Sequence, residues 1–308
     1  MRSNGASGRP SPVESVEFEI WGARGSRSLS PPVSSIANYT SCYSVRAGAD
    51  LFVLDGGRGL GVLSRSLAAE ARFRGVERIH LLLSHSHMDH WEGLKDAEWF
   101  WTNGNRLKLR VLGAEEAIET VRRGYGHPAY VPLEVLAAHT LRRLDFSTLQ
   151  AGETRRIRGW RVQTFALNHY SGAGKSRNQL DTLGYRLRSP QGLVVAYLCD
   201  HEPNRETAAD EERMIDGAHL ALIDAHFADR IQQAYGHGSQ EHAASLARRY
   251  PGTLVLAAHH GPIHDDRDIR RAHRRHGKGL PNYAVAEEGM RLTWNPRTRR
   301  LGTSRARA

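Results

Sequence analysis

The chain has 308 residues, 40% of them hydrophobic, which suits a globular protein with one large or two small domains. No apolar run approaches the length of a membrane span, and the first residues lack the apolar core of a signal peptide. We therefore expect a cytoplasmic protein in which residues 1–15 are disordered. Cys42 and Cys199 are the only cysteines, which excludes a disulfide framework and favours a packing role for both.

The net charge of +10 is unevenly distributed, because twelve Lys and Arg face three acidic residues between Arg267 and the end of the chain. A basic C-terminal region of this kind can attract nucleic acid or other anions, although a solvated chain end is the simpler interpretation. We expect a folded domain over residues 16–294 and a basic tail over residues 295–308.

The first half of the chain predicts strands and one helix that lead to a polar loop. Val16, Phe18 and Ile20 alternate with glutamates and indicate a half-buried strand. Segments 41–45 and 51–54 predict a hairpin that ends at small residues. Leu60, Leu63 and Leu67 then recur at helical spacing, so a helix leads to the apolar run over residues 81–83.

Four metal-capable side chains follow this apolar run within six positions: His85, His87, Asp89 and His90. An apolar run of this length predicts a buried strand, so the four side chains belong to a loop at the edge of a sheet. Imidazole and carboxylate together form the ligand set for zinc, manganese or iron. The spacing therefore predicts a metal site.

The second half of the chain also contains predicted strands that are followed by metal-capable side chains. Apolar segments that predict strands end in His or Asp at four further places: His169, Asp200, Asp224 and the pair His259-His260. If these strands lie side by side, their ends meet at one rim together with the residue 85–90 loop. Segment 124–150 contains prolines and leucines, and it predicts either a lid or a packed connection. Ser239 predicts a helix N-cap.

The loop matches the His-x-His-x-Asp-His signature without a gap, and the chain resembles the metallo-β-lactamase superfamily over roughly residues 16–294. Phrases such as Gly22-Ala-Arg-Gly-Ser26 and Tyr235-Gly-His-Gly-Ser239 resemble its phosphodiesterase and ribonuclease Z-like branch. The resemblance implies an α/β fold, the four-layer αββα sandwich. Members of this branch often dimerise, so a homodimer is also an expectation.

The resemblance implies two divalent metal ions, with Zn²⁺ favoured and Mn²⁺ or Fe²⁺ as alternatives. In the family pattern one ion is held by His85, His87 and His169, and the other by Asp89, His90 and His259. Asp200 bridges both ions. His260 stays open as the alternative to His259, and Asp55 is a candidate partner for a ligand histidine.

The implied reaction is the hydrolysis of a phosphodiester, such as a cyclic nucleotide or another small diester, by a metal-bridging hydroxide. Asp89 would orient the hydroxide, His237 would protonate the leaving oxygen, and Asp224 would fix the tautomer of His237. Pocket positions depart from the branch pattern, for example at Tyr170 and Gly261, so two alternatives stay open. One is hydrolysis of a lactone, β-lactam or thioester, and the other is RNA or DNA processing assisted by the basic tail.

Overall fold

The protein is described by a computed structural model, in which residues 15–101, 108–135, 143–172, 176–230 and 235–305 are described. The expected disorder of residues 1–15 falls almost wholly outside these ranges. No helix in the described part of the chain combines the length and apolarity that crossing a membrane requires.

Eight strands form the first sheet, in the order β17-β16-β1-β2-β3-β4-β5-β6. Their bounds are β1 Val16–Gly22, β2 Cys42–Ala47, β3 Asp50–Leu54, β4 Arg78–Leu82, β5 Lys108–Gly113, β6 Arg143–Thr148, β16 Met290–Asn295 and β17 Arg300–Arg305. The strands from β3 to β6 are parallel, and the remaining pairs are antiparallel.

Seven strands form the second sheet, in the order β15-β14-β13-β12-β11-β8-β7. Their bounds are β7 Thr154–Ile157, β8 Trp160–Ala166, β11 Leu183–Arg188, β12 Val194–Leu198, β13 Leu220–Asp224, β14 Leu254–Ala258 and β15 Tyr283–Val285. Strands β12 to β15 are parallel. Two short strands, β9 Tyr170–Ser171 and β10 Asn178–Gln179, pair with each other and lie between β8 and β11 in the chain.

Five complete α-helices are described: α1 Gly59–Ala69, α2 Glu115–Gly124, α3 Ala208–Ile215, α4 Gln240–Arg249 and α5 Asp266–His276. Their apolar faces and the two sheets form three buried clusters. The central cluster joins both sheets through residues such as Phe52 and Tyr197. A second cluster packs Leu63 of α1 on the first sheet, and a third packs Leu246 of α4 on the second. The result is the expected αββα sandwich.

Local sequence signals are reproduced in several elements. Ser239 Oγ accepts a hydrogen bond from the backbone N–H of His242 at 3.2 Å, so it caps α4 as expected.

The first strand is more buried than the alternation of its residues predicted. Glu19 is only 4% exposed, because it forms ion pairs with Arg72 at 2.6 Å and Arg291 at 3.1 Å.

The C-terminal region is folded where the sequence predicted a basic tail. Strand β17 pairs with β16 from Met290↔Arg305 to Asn295↔Arg300, so the sheet extends well past residue 294. Upstream, α5 buries Ile269 and Ala272. Within segment 124–150, β6 belongs to the first sheet and Tyr125 is buried in the core, whereas residues 136–142 lie outside the described part.

Candidate metal centre

The strands that precede the predicted ligands bring them to one edge of the sandwich. His85 and its neighbours follow β4, His169 follows β8, Asp200 follows β12 and His259 follows β14. Three residues that turn the chain into the site have left-handed backbones, with φ of 57° at Asp55, 54° at Asp200 and 57° at His259. Non-glycine residues rarely adopt this conformation, and such positions concentrate at functional sites.

The predicted ligands form two adjoining groups. Ligand atoms of His85, His87, His169 and Asp200 lie within 4.8 Å of one another, and so do those of Asp89, His90 and His259. Asp200 lies between the groups. Its Oδ2 is 3.6 Å from His169 Nε2, and its Oδ1 is 3.3 Å from His90 Nε2 and 3.1 Å from His259 Nδ1.

Of the two adjacent histidines after β14, only His259 reaches this centre. His260 Nε2 lies 3.2 Å from the backbone oxygen of Ala286, and His260 belongs to none of the ligand groups found among the described residues. Burial lowers the pKa of His260 to about 3, so this side chain is a neutral core residue.

Hydrogen bonds orient the candidate ligand histidines from the side opposite the centre. Asp55 Oδ2 lies 2.6 Å from His90 Nδ1 and also accepts bonds from Ser84 Oγ at 2.7 Å and from the Tyr197 hydroxyl at 2.6 Å. Because the Asp55 side chain accepts the Nδ1 proton of His90, the Nε2 lone pair faces the centre. The expected role of Asp55 behind a ligand histidine agrees with this geometry.

Three of these imidazole nitrogens suit a cation. His85 Nε2, His90 Nε2 and His259 Nε2 are buried and have no hydrogen-bond partner in the described part of the protein. Buried polar atoms are normally satisfied, so a group of unpaired lone pairs beside carboxylates fits bound divalent metal. The residues present therefore fit the metal-dependent chemistry of the fold.

Burial and neighbouring charges shift the pKa values of the candidate ligands. Burial lowers the pKa of His85 well below its ordinary value and lowers the pKa of His169 to about 4, so both imidazoles are neutral. Burial opposes the charge of Asp200, but His259, His90 and His85 hold its pKa well below the usual range. Burial opposes a charge on His90 as well, but Asp200, Asp89 and Asp55 raise the pKa of His90 well above its ordinary value. An ionised Asp200 beside the neutral imidazoles of His85 and His169 suits a bound cation.

His237 stands at the open side of the centre and is held by Asp224. Its Nδ1 lies 2.9 Å from Asp224 Oδ2, and Nδ1 is 3.8 Å from Asp200 Oδ2. Burial lowers the pKa of His237, but Asp224, Asp200 and Asp89 raise it more strongly, to about 9. Asp224 also accepts the backbone N–H groups of His201 and His226, each at 3.0 Å, so its position is fixed.

His226 was assigned no role from the sequence, yet it belongs to this centre. Its ring stacks on that of His237 with centroids 4.1 Å apart and planes 11° apart. It also groups with His237 and His259 as a set of possible ligands, and its Nδ1 is buried without a partner in the described residues. The only sequence signal was its place two residues after Asp224.

A cleft of about 340 Å³ opens over the centre, and its walls include Asp89, His169, Asp200 and His237. Met88 and Tyr235, which are 62% and 50% exposed, stand at this cleft. The volume lies in the range that admits a small organic molecule.

This fold and this centre are those of a metallo-β-lactamase-fold hydrolase. The family model described as the beta-lactamase superfamily domain matches residues 52–260, and the chain belongs to this superfamily. No curated protein matches the chain.

Solved structures with the same fold cover most of the chain. The metallo-β-lactamase-fold protein YhfI from Bacillus subtilis matches with a TM-score of 0.63 at 16% identity, covering 91% of this chain and 99% of its own. A diphosphatase from the PhnP family matches with a TM-score of 0.62 at 14% identity, covering 91% of this chain and 97% of its own. Yeast PDE1 matches with a TM-score of 0.61 at 17% identity, covering 91% of this chain and 99% of its own. At these identities the likeness shows the shared fold.

Proposed function

We propose that the protein is a dinuclear metal-dependent phosphodiesterase that acts on a cyclic nucleotide or another small diester. The observation that carries this proposal is the pair His237–Asp224, with 2.9 Å between Nδ1 and Oδ2, at the mouth of the metal centre. Hydrolysis of a diester needs a group that protonates the leaving oxygen, and a histidine held in this way supplies one.

The protein's own groups divide the work of the reaction. Two bound divalent cations would supply an activated water and polarise the phosphoryl oxygen. Asp224 holds the Nδ1 proton of His237, which directs Nε2 to the substrate; Nε2 makes no hydrogen bond to a described residue. Asp89 Oδ2 accepts the backbone N–H of Ser26 at 2.9 Å, and this bond orients its carboxylate at the edge of the cleft.

Zn²⁺ is the metal we favour, with Mn²⁺ or Fe²⁺ as alternatives. In the proposed assignment His85, His87 and His169 would hold one ion, Asp89, His90 and His259 would hold the other, and Asp200 would contribute to both. Imidazole-rich sets with few carboxylates suit zinc, whereas additional oxygen ligands favour manganese. The two ligand groups and the intermediate position of Asp200 support two ions rather than one.

The comparisons agree with phosphoester chemistry without defining a substrate. Similar structures include the diphosphatase from the PhnP family and the short form of human tRNase Z, which matches with a TM-score of 0.57. A cleft of about 340 Å³ favours a small diester over a folded RNA as the group held at the metals.

A substrate screen tests this proposal. The protein loaded with Zn²⁺ or Mn²⁺ is assayed with bis(p-nitrophenyl) phosphate, cyclic mononucleotides, cyclic dinucleotides and a lactone, and bound metal is counted by mass spectrometry. We expect about two metals per chain and turnover of a diester. Turnover of the lactone alone would support the alternative chemistry, which does not require the acid His237. Fewer than about one metal per chain would overturn the proposal.

A further inference from the structure

A second cavity, of about 230 Å³, lies at the opposite end of the sandwich from the metal centre. It lies at the amino ends of β4 and β5 and beside the hairpin that joins β7 to β8. The ligand loop follows the carboxyl end of β4, so a strand length of about 20 Å separates the two sites. We name this cavity the basic cleft and define it by Arg78, Lys108, Arg110, Arg156 and Arg158.

The positive charge of the basic cleft is only partly neutralised. Arg78 pairs with Asp50 at 2.6 Å and with Glu77 at 2.9 Å, and Arg110 lies 3.8 Å from Asp145. Lys108, Arg156 and Arg158 form no ion pair with any described residue, and all three are exposed. Cations that no acidic side chain neutralises leave a local positive potential, which attracts anions.

Strand register places like charges opposite each other at this cleft and on the strands next to it. Lys108 is the register partner of Arg78 in the first sheet. In the second sheet Arg156 is opposite Arg161, and Arg161 is opposite Arg188. Of these three arginines, Arg156 lines the cleft. Like charges directly opposite each other destabilise a sheet, so these rows cost stability unless an anion lies on them.

Arg158, at the tip of the hairpin between β7 and β8, is a further exposed cation, and its backbone conformation is unfavourable for arginine. Arg158 and Gly159 have φ of 50° and 84°, as a two-residue hairpin turn of type I′ requires. Asn, Asp and Gly are the residues that favour such a turn, whereas arginine is unfavourable in a left-handed backbone. The fold therefore carries a guanidinium at the lip of the cleft where a smaller residue suits the turn better.

We propose that the basic cleft binds the phosphate backbone of single-stranded nucleic acid. The five cations that line the cleft match a ligand with several phosphates. No Phe, Tyr or Trp lines the cavity, so base stacking is not its mode of recognition. The C-terminal arginines are weaker candidates, because Arg270, Arg271 and Arg275 pair with Glu287, Asp268 and Asp229. This binding is independent of what the metal centre cleaves.

Fluorescence anisotropy with a labelled 20-nucleotide oligouridine tests the proposal, with gel electrophoresis showing that the strand stays intact. We expect Lys108→Gln combined with Arg158→Gln to weaken binding at least tenfold at low salt. The slope of log K against log salt should fall by about 1.4, since each phosphate contact on a single strand contributes about 0.7. Turnover of bis(p-nitrophenyl) phosphate should not change, which separates this test from the proposed function.

The matched control is Arg274→Gln combined with Lys278→Gln, which removes the same charge from the C-terminal region and should change affinity less than twofold. Arg158→Gly provides a second test, because it should raise the melting temperature while weakening binding. Equal loss in both double variants, no binding by the wild type at low salt, or displacement of the strand by inorganic pyrophosphate at equal phosphate concentration would each overturn the assignment.

Discussion

The Nδ1 atom of His87 and the Nε2 atom of His169 face each other at 3.0 Å, although 82 residues separate them in the chain. The backbone oxygen of Gly236 lies 2.7 Å from His169 Nδ1 and accepts its proton, so Nε2 presents a lone pair. His87 Nε2 is held by Ser171 Oγ at 2.6 Å. Because both rings are held by these hydrogen bonds, their facing nitrogens are fixed in the positions of candidate ligands for one cation.

We expect metal removal to destabilise the fold. A cation present at about 1,000 times its dissociation constant contributes about 4 kcal/mol to the free energy of unfolding, and a chelator removes this term. The melting temperature should therefore fall on chelation and recover when Zn²⁺ is added. His169→Ala should bind about one metal fewer per chain and show a smaller shift. An unchanged melting temperature after verified metal loss would contradict this expectation.

Replacing His237 should abolish the proton transfer and leave the metals in place. His237→Ala is expected to lose about 10² to 10⁴ in kcat for a diester, which is the usual contribution of a general acid, with unchanged metal content. Asp224→Asn should lose turnover as well, and the double variant should lose little more than His237→Ala. Additive losses, or metal loss in His237→Ala, would show that the two residues do not act as one unit.

Asp55 is expected to control metal affinity although it does not reach the proposed cations. Asp55→Asn leaves the size of the side chain unchanged but weakens its acceptance of the His90 Nδ1 proton. Loss of such supporting contacts typically costs about 10- to 100-fold in metal affinity. Competition with a chromogenic zinc chelator measures this change, and Glu77→Gln, which alters an exposed carboxylate, is the matched control. Equal affinities in the two variants would remove Asp55 from the support of the centre.

Gly25 leaves room for the ring of His259. A Cβ at this position would lie 2.5 Å from His259 Nε2 and 2.9 Å from His226 Nδ1, closer than real contacts allow. We expect Gly25→Ala to displace His259 and to lower metal content by about one ion per chain. Gly252→Ala is the control, since a Cβ there meets nothing within 4 Å. Full metal occupancy in Gly25→Ala would show that His259 does not need this position.

His80 predicts a pH dependence of stability. Burial lowers the pKa of His80 below 6.5, despite the opposing effect of Asp50. Below pH 6.5 the unfolded chain binds a proton that the folded chain resists, so stability is lost as pH falls, by at most about 1.4 kcal/mol per pH unit. His80→Gln should flatten urea-unfolding stability between pH 6.5 and 5. A steeper decline in the variant would reverse the sign of this prediction.

The sequence determined those features that depend on neighbouring residues. Apolar runs and their periodicity predicted the strands β1 to β4 and the capped helix α4, because side-chain spacing and local hydrogen bonds suffice for them. The motif of candidate ligands from His85 to His90 was equally readable, since one loop carries all four side chains. The family resemblance supplied the fold and indicated Asp200 and His259 as partners of this loop.

Tertiary structure decided what depends on distant contacts and on backbone direction. Nothing in the adjacent pair His259-His260 distinguishes the two rings, but the left-handed backbone at His259 turns that ring to the centre and sends His260 to Ala286. Pairing of β17 with β16 converted a basic tail into a strand. The stacking of His226 on His237 and the group of cations that lines the basic cleft likewise exist only after segments far apart in sequence are brought together.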